Sequence, residues 1–354
     1  MPGPTMHESS TTTTQAPPTI SVAIPIQPEP TSLTSGTGLA AEQLRRSRLG
    51  LRRQVADTDL AVHPLALGCS VFGWTADGET SARVLDRHRD LGGNFLDTAD
   101  SYTSGRSEVI VGSWLRSRGA RDSTVIATKI GKNRDNPGLS SRSIIGAVHA
   151  SLDRLGTDYI DLLHFHFDDP TVPLEESLGA VDVLMRSGQV RYLAASNFSA
   201  ERLMEARVLA ANGLPRFVAL QTQYSLLHRT PFESSLALVT RAQGMAVLPY
   251  FALAHGFLAG RYRSKADLAK TTRAARAAKH QNRTGFRVLA VLDRIAEEHG
   301  VAPAAIAIAW LLARGPVVAP VASASHPDQV DALVAAAGIQ LTRSDMVDLD
   351  RVSA

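Results

Sequence analysis

Two hydrophobic periods alternate along most of this chain. Short runs are apolar at nearly every position: "HPLALG", "NFLD", "STVIATK", "DYIDLLHFH", "VRYLAASN", "FVALQ", "MAVLPY" and "PVVAPVAS". Between them lie longer stretches whose apolar residues recur at helical spacing, among them "ETSARVLDRHRDL", "SEVIVGSWLRSRG", "LEESLGAVDVLMRSG", "AERLMEARVLAANG" and "PFESSLALVTRAQG". Strands that are apolar on both faces and separated by helices belong to a parallel sheet covered on both sides. The stretch "SRSIIGAVHASLDRLG" has Ser at its start and Gly at its end, as helix capping requires. The series passes through a long loop before "GFRVLAVLDRIAEEHG", gains an additional helix in "PAAIAIAWLLARG", and closes with "PDQVDALVAAAG".

Eight strand–helix units in about 300 residues predict a (β/α)8 TIM barrel. The alternative, a doubly wound sheet, lacks its main signal, because no G-x-G-x-x-G follows the first strand. The opening "MPGPTMHESSTTTTQAPPTISVAIPIQPEPTSLTSGTG" is rich in Thr, Ser, Pro and Gly. Residues 1–45 are therefore expected to be a disordered tail, and residues 46–354 one barrel domain.

Composition narrows the class without naming it. Of 354 residues, 44% are hydrophobic and 20% charged, which is ample for a large core. A net charge of +3 does not point to a nucleic-acid partner. No apolar run approaches the ~18–20 residues a membrane span requires. The single cysteine, Cys69, excludes an intrachain disulfide and fits a reducing, cytoplasmic setting.

In such a barrel the site lies at the C-terminal ends of the strands. There the second strand delivers Asp97, the third Lys129, the fourth His166, the fifth Ser196 and Asn197, the sixth Gln221, the seventh Tyr250, and the eighth ends near Ser323. Taken singly, each has a bland explanation. Asp97 is as well explained as a helix cap, and Ser196-Asn197 as the cap of the helix beginning near Ala200. An isolated Lys129 would reach solvent, and an isolated His166 would sit satisfied in the core. Only their convergence on one rim favours a site.

The set has a definite chemistry. Tyr102, five residues beyond Asp97, is a weak acid with a solution pKa of about 10. A neighbouring ammonium, Lys129, is expected to lower it, with Asp97 holding that lysine in place. His166 can hydrogen-bond a substrate oxygen beside the Tyr102 hydroxyl. This arrangement suits protonation of a carbonyl oxygen while a cofactor delivers hydride to its carbon. Ser196, Asn197 and Gln221 can hold a nicotinamide carboxamide, and Tyr250 can stack on its ring.

The motifs "FLDTADSY", "VIATK", "DYIDLLHFH", "AASNFS", "LQTQYSLL", "LPYFALAHGFLAGRY" and "ASASHPDQV" follow one another across roughly residues 50 to 350. In them the chain resembles the aldo-keto reductases, a TIM-barrel family of NAD(P)H-dependent carbonyl reductases. The resemblance implies reduction of a small aldehyde or ketone, with Asp97, Tyr102, Lys129 and His166 as the catalytic four. It implies cofactor contacts from Ser196, Asn197, Gln221 and Tyr250. Alignment on "DYIDL" selects His166 over His164, which would sit one layer deeper.

The chain departs from the family pattern in two places. The segment after the last strand, "VASASHPDQV", offers Ser323, Ser325 and Gln329 to a phosphate or ribose but no Lys or Arg. The charge for a 2′-phosphate would have to come from Arg261, or from the basic segment "KADLAKTTRAARAAKHQNR", which is otherwise a solvated surface loop. NADP is the expected cofactor, with NAD the alternative. Ser70 stands where the family often has tryptophan; Phe72 and Trp74 either line the substrate pocket or pack. Two rival readings remain: a cofactor-binding regulatory subunit with little turnover, and a metal-dependent hydrolase using His164 and His166.

Overall fold

A computed structural model of the chain describes residues 51–268 and 274–354. The expected tail, residues 1–45, lies outside the described residues. The described chain enters through a short antiparallel hairpin, β1 (Arg53–Gln54) and β2 (Ala61–Val62), which the hydrophobic pattern did not reveal. Eight parallel strands follow: β3 (Ala66–Gly68), β4 (Phe95–Asp97), β5 (Val125–Ile130), β6 (Ile160–Phe165), β7 (Val190–Ser196), β8 (Phe217–Gln223), β9 (Ala246–Tyr250) and β10 (Val321–Ala322). Each pairs with the next in chain order, and β10 returns to pair with β3. The seam between β9 and β10 is joined just ahead of β10, where Val247 N–H donates to Pro316 O at 2.8 Å and Val318 N–H to Val247 O at 3.0 Å. The fold is the (β/α)8 TIM barrel expected from the sequence.

Alternation along the strands sorts residues into an inner and an outer set. Phe95, Ala127, Leu162, Ala194, Ala219 and Ala246 fill the barrel interior together with Val55, Leu60 and Val62 of the hairpin. Their neighbours Leu96, Ile126, Leu163, Leu220 and Val247 face outward and pack beneath the helices. Two residues further along β4 to β8 the same inward set becomes Asp97, Lys129, His164, Ser196 and Gln221, and after one more step on β6 it reaches His166. The polar rim is thus the continuation of the apolar barrel core.

The outer layer comprises α1 (Gly78–Asp90), α2 (Arg106–Arg118), α3 (Ser141–Leu155), α4 (Leu174–Arg186), α5 (Ala200–Ala211) and α6 (Ala237–Ala242). The long segment after β9 is not a bare loop among its described residues. It contains a 3-10 stretch (Ala254–Ala259) and two short helices, α7 (Lys265–Leu268) and α8 (Ala274–Ala278), before α9 (Arg283–Glu298). The additional helix is α10 (Pro303–Leu312), buried on all sides around Trp310, as an apolar circumference demands. α11 (Asp328–Ala335) and α12 (Arg343–Ser353) complete the layer. α3 is capped by Ser140 and Gly156. α5 is capped by Ser199, and so Ser196 and Asn197 do not cap it.

Candidate active site

Lys129 is almost fully buried, yet each proton of its ammonium has an oxygen to approach. Nζ donates to Asp97 Oδ1 at 2.7 Å, to the Thr98 carbonyl at 2.7 Å, and lies 3.4 Å from the Tyr102 hydroxyl. The second oxygen of Asp97 accepts from Gln221 Nε2 at 2.7 Å. A buried ion pair is stable only when its remaining lone pairs and protons are satisfied in this way. Burial opposes the charge on Lys129, but Asp97 and Tyr102 together outweigh it, and the lysine pKa rises above its usual value.

Tyr102 reaches this cluster from a tight turn. Thr103, Ser104 and Gly105 all have left-handed backbone angles, with φ of 51°, 53° and 87°. For the two non-glycine residues such angles cost on the order of 1 kcal/mol each. The turn is tied down by Thr103 Oγ1 donating to Phe72 O at 3.1 Å and by Ser107 Oγ donating to Cys69 O at 2.9 Å. Lys129 acts downward on the Tyr102 pKa as expected, but burial acts upward and is the larger effect, so the net shift is upward and the phenol stays protonated well past neutral pH.

His166 stands edge-on to Tyr102, with ring centroids 6.1 Å apart. Burial, then the charges of Lys129 and Lys132, push its pKa down to about 2, so the imidazole is neutral. Its Nδ1 is buried without a hydrogen-bond partner. His164 lies one layer deeper, opposite Lys129 in the strand register, and is also held neutral, by burial first and by Lys129 second. Among the described residues no cluster of three or more His, Cys, Asp or Glu side chains is arranged to hold a metal ion.

Asn197, in a left-handed conformation at φ 59°, links three neighbours. Its amide donates to His166 O at 2.9 Å and Ser196 Oγ at 3.1 Å, and it accepts from the Tyr250 hydroxyl at 2.7 Å. A single pocket of about 730 Å³ is lined by Asp97, Tyr102, His166, Ser196, Asn197, Gln221, Tyr250, Arg261, Ser323 and Gln329, a volume ordinary for a ligand or cofactor site. Ser325 is not in the lining; its backbone N–H donates to Gln329 Oε1 at 3.0 Å. At the pocket floor β3 and β10 approach so closely that a Cβ on Gly68 would come within 2.7 Å of Ser323 Oγ. Ser70 joins the same contact, 3.3 Å from Ser323 Oγ. Of the two aromatics near Ser70, Trp74 lines the pocket and is half exposed, whereas Phe72 is wholly buried in the core.

Sequence reasoning missed three features of the lining. Lys132 and Asp328 reach it from a loop and a helix end that strand spacing does not place, whereas Arg276 belongs to the basic segment offered above to a phosphate. The third is the clamp of Gln221 on Asp97. Beneath the Tyr102 turn, Asp100 is buried, and neither carboxylate oxygen makes a hydrogen bond of normal geometry. Burial, then the charge of Glu108, pushes its pKa up to about 6.

A closed parallel barrel with its polar side chains gathered around one deep pocket at the strand ends defines a TIM-barrel protein of the enzyme type. The comparisons with known proteins make this specific. The model of the aldo/keto reductase family matches residues 64–354. A norsolorinic acid reductase, stcV, of Emericella nidulans is 33% identical over 324 residues, 86% of this chain and 82% of the relative. The protein tas of Escherichia coli is 30% identical over 334 residues, 84% of this chain and 96% of the relative. An aryl-alcohol dehydrogenase of Pestalotiopsis microspora is 29% identical over 324 residues, 86% of this chain and 83% of the relative. The chain belongs to the aldo/keto reductase family of oxidoreductases.

Proposed function

We propose that the protein reduces an aldehyde or ketone to the alcohol, with hydride from NADPH and the proton from Tyr102. The observation that carries this reading is the Lys129 ammonium, held by Asp97 and Thr98 and standing 3.4 Å from the Tyr102 hydroxyl beside a neutral His166. A bound nicotinamide supplies the hydride, since no side chain can. Tyr102 gives its proton to the carbonyl oxygen. The phenolate left behind attracts the ammonium far more strongly than the phenol does, so the attraction grows as the proton departs and favours the transition state over the ground state. His166, neutral, offers Nε2–H to the same oxygen. The names of the relatives, two of them a reductase and an alcohol dehydrogenase, support this class of reaction.

For the cofactor, Gln221 Oε1, left free by the bond from Nε2 to Asp97, and the Ser196 hydroxyl, which accepts from Asn197 and keeps its own proton to donate, hold the carboxamide; Asn197 positions Ser196 and Tyr250, and Tyr250 stacks. Arg261 and Arg276 line the pocket and make no ion pair among the described residues. They supply the cationic groups that Ser323, Ser325 and Gln329 lack, and this favours the 2′-phosphate of NADP. One observation favours NAD instead. Asp328 also lines the pocket, next to Gln329, with its carboxylate 3.1 Å from His326 Nδ1, and a carboxylate there repels a phosphate but accepts from a ribose hydroxyl.

The test is a panel of aldehydes and ketones given NADPH or NADH carrying deuterium on the reactive ring carbon. Product alcohols bearing that deuterium, formed faster with NADPH, support the reading. Binding of cofactor with no carbonyl reduced by either would instead make the protein a cofactor-binding regulatory subunit.

A further inference from the structure

The pocket has two halves by strand order. Arg261, Arg276, Ser323, Asp328 and Gln329 come from segments following β9 and β10. Trp74, Tyr102, Lys132 and His166 come from segments following β3, β4, β5 and β6. With the first half given to the cofactor, the second half meets the substrate, and two of its members have no part in the chemistry proposed above.

Lys132 is the first. It stands two residues past the end of β5, where the chain has just delivered Lys129 inward. Its charge is felt by His166, whose pKa it helps to depress, and its ammonium lies 5.6 Å from the centre of the Phe167 ring. Lys132 lines the pocket, is exposed, and makes no ion pair among the described residues. The carboxylate that it senses is Asp100, which is buried beneath the Tyr102 turn and is itself pushed up to about 6. An ammonium beside a catalytic imidazole and a second ammonium is held at an electrostatic cost. That cost is relieved by a ligand that brings an anionic oxygen.

Trp74 is the second. It exposes 52% of its surface, within the same pocket, while the neighbouring Phe72 is wholly buried. Large aromatic surface left open in a concave site is where a flat apolar body gains most from binding. A ring on Trp74 and an anion on Lys132 belong to one molecule if both features serve the substrate.

We propose that the substrate is an aryl aldehyde or ketone carrying an anionic oxygen group, such as a carboxylate or an ionised phenol, with Lys132 binding the anion and Trp74 the ring. This rests on the carbonyl reductase reading and names the substrate class for it. Lys132 is a specificity-determining residue and takes no part in proton or hydride transfer.

The probes are 3- and 4-formylbenzoate and their methyl esters, which match the acids in shape and remove the charge. In the full chain the ratio of kcat/KM for acid over ester is expected to exceed unity by roughly tenfold or more, the scale of one charge-assisted bond. Lys132→Met collapses the ratio, Lys132→Arg retains it, and raised salt reduces it because the lysine is exposed. Trp74→Ala lowers kcat/KM for acid and ester alike. A ratio near unity in the wild type, or the same ratio in Lys132→Met, overturns the proposal. If neither compound is reduced, the carbonyl reductase reading fails separately, and benzoate binding followed by tryptophan fluorescence still decides the role of Lys132. Binding at least tenfold weaker in Lys132→Met supports it, and equal binding overturns it.

Discussion

At the scale of the residue, the decisive feature is a full positive charge with almost no access to water. Lys129 owes its charge to Asp97, and Asp97 is fixed from its other side by Gln221. Lys129→Met therefore does more than slow a reaction. It leaves a buried carboxylate with only an amide partner, which costs on the order of 3 kcal/mol or more. A urea midpoint well below the wild type is expected, recovered in large part by adding Asp97→Asn. The pH profile follows from Tyr102. A proton donor works only while protonated, and burial raises the Tyr102 pKa above its ordinary 10.0 despite the opposing pull of Lys129. The rate of reduction is then flat through neutral pH and falls only in the strongly alkaline range. A decline beginning near neutrality would restore the original expectation of a lowered pKa. Arg261→Ala is expected to weaken NADPH about ten- to a hundredfold, the value of one bond to a charged group, and NADH much less. Equal losses, measured by fluorescence quenching, would place Arg261 on the shared pyrophosphate or outside the site.

At the scale of the element, packing overrides propensity where helices cross. Gly112 lies in the interior of α2, where Ala is favoured by about 1 kcal/mol. A Cβ there would stand 2.4 Å from Leu155 O and 2.6 Å from Arg154 O, both backbone atoms of α3 that cannot swing aside. Gly112→Ala is therefore expected to destabilise by about 1–3 kcal/mol, as overpacking does, and a raised urea midpoint would contradict the close crossing. The elements legible in the sequence were those whose pattern repeats: strands apolar on both faces, helices with a 3.6-residue stripe, and a Ser-to-Gly frame around α3. The β1–β2 hairpin was not legible because two-residue strands carry no period. The helices between β9 and α9 are too short to show a stripe. Asp97, Lys129 and His166 were legible because each lies on or next to a strand end, where alternation fixes its direction, whereas Tyr102, in the turn after β4, was legible only through the motif it shares with the family. Lys132 and Asp328 were not, because loop and helix-end positions are set by tertiary contacts that spacing does not encode.

At the scale of the whole molecule, one core continues into one site, and both depend on buried groups kept neutral. His88, His164 and His166 are all depressed far below the ordinary 6.5, by burial before any other cause, with His88 near 3 and His166 near 2. In the unfolded chain they titrate normally. Between the folded and unfolded values the unfolded state binds more protons, so stability is lost as the pH falls below 6.5, at about 1.4 kcal/mol per unit for each histidine. Asp100, raised to about 6, acts in the opposite sense between that value and its ordinary 3.8 and offsets part of the loss. Denaturant midpoints measured from pH 7 down to pH 5 are expected to fall steeply, and a level profile would show that these histidines are not buried neutral. The rim is proposed to work as one site in which Tyr102 delivers the proton. The most direct test is a single turnover of NADPH with an accepted aldehyde in Tyr102→Phe, alongside the cofactor dissociation constant. An unchanged constant is expected, with a rate about a hundred- to ten-thousandfold lower, the usual contribution of a general acid. A variant that binds cofactor and reduces the aldehyde at nearly the wild-type rate would contradict the proposal.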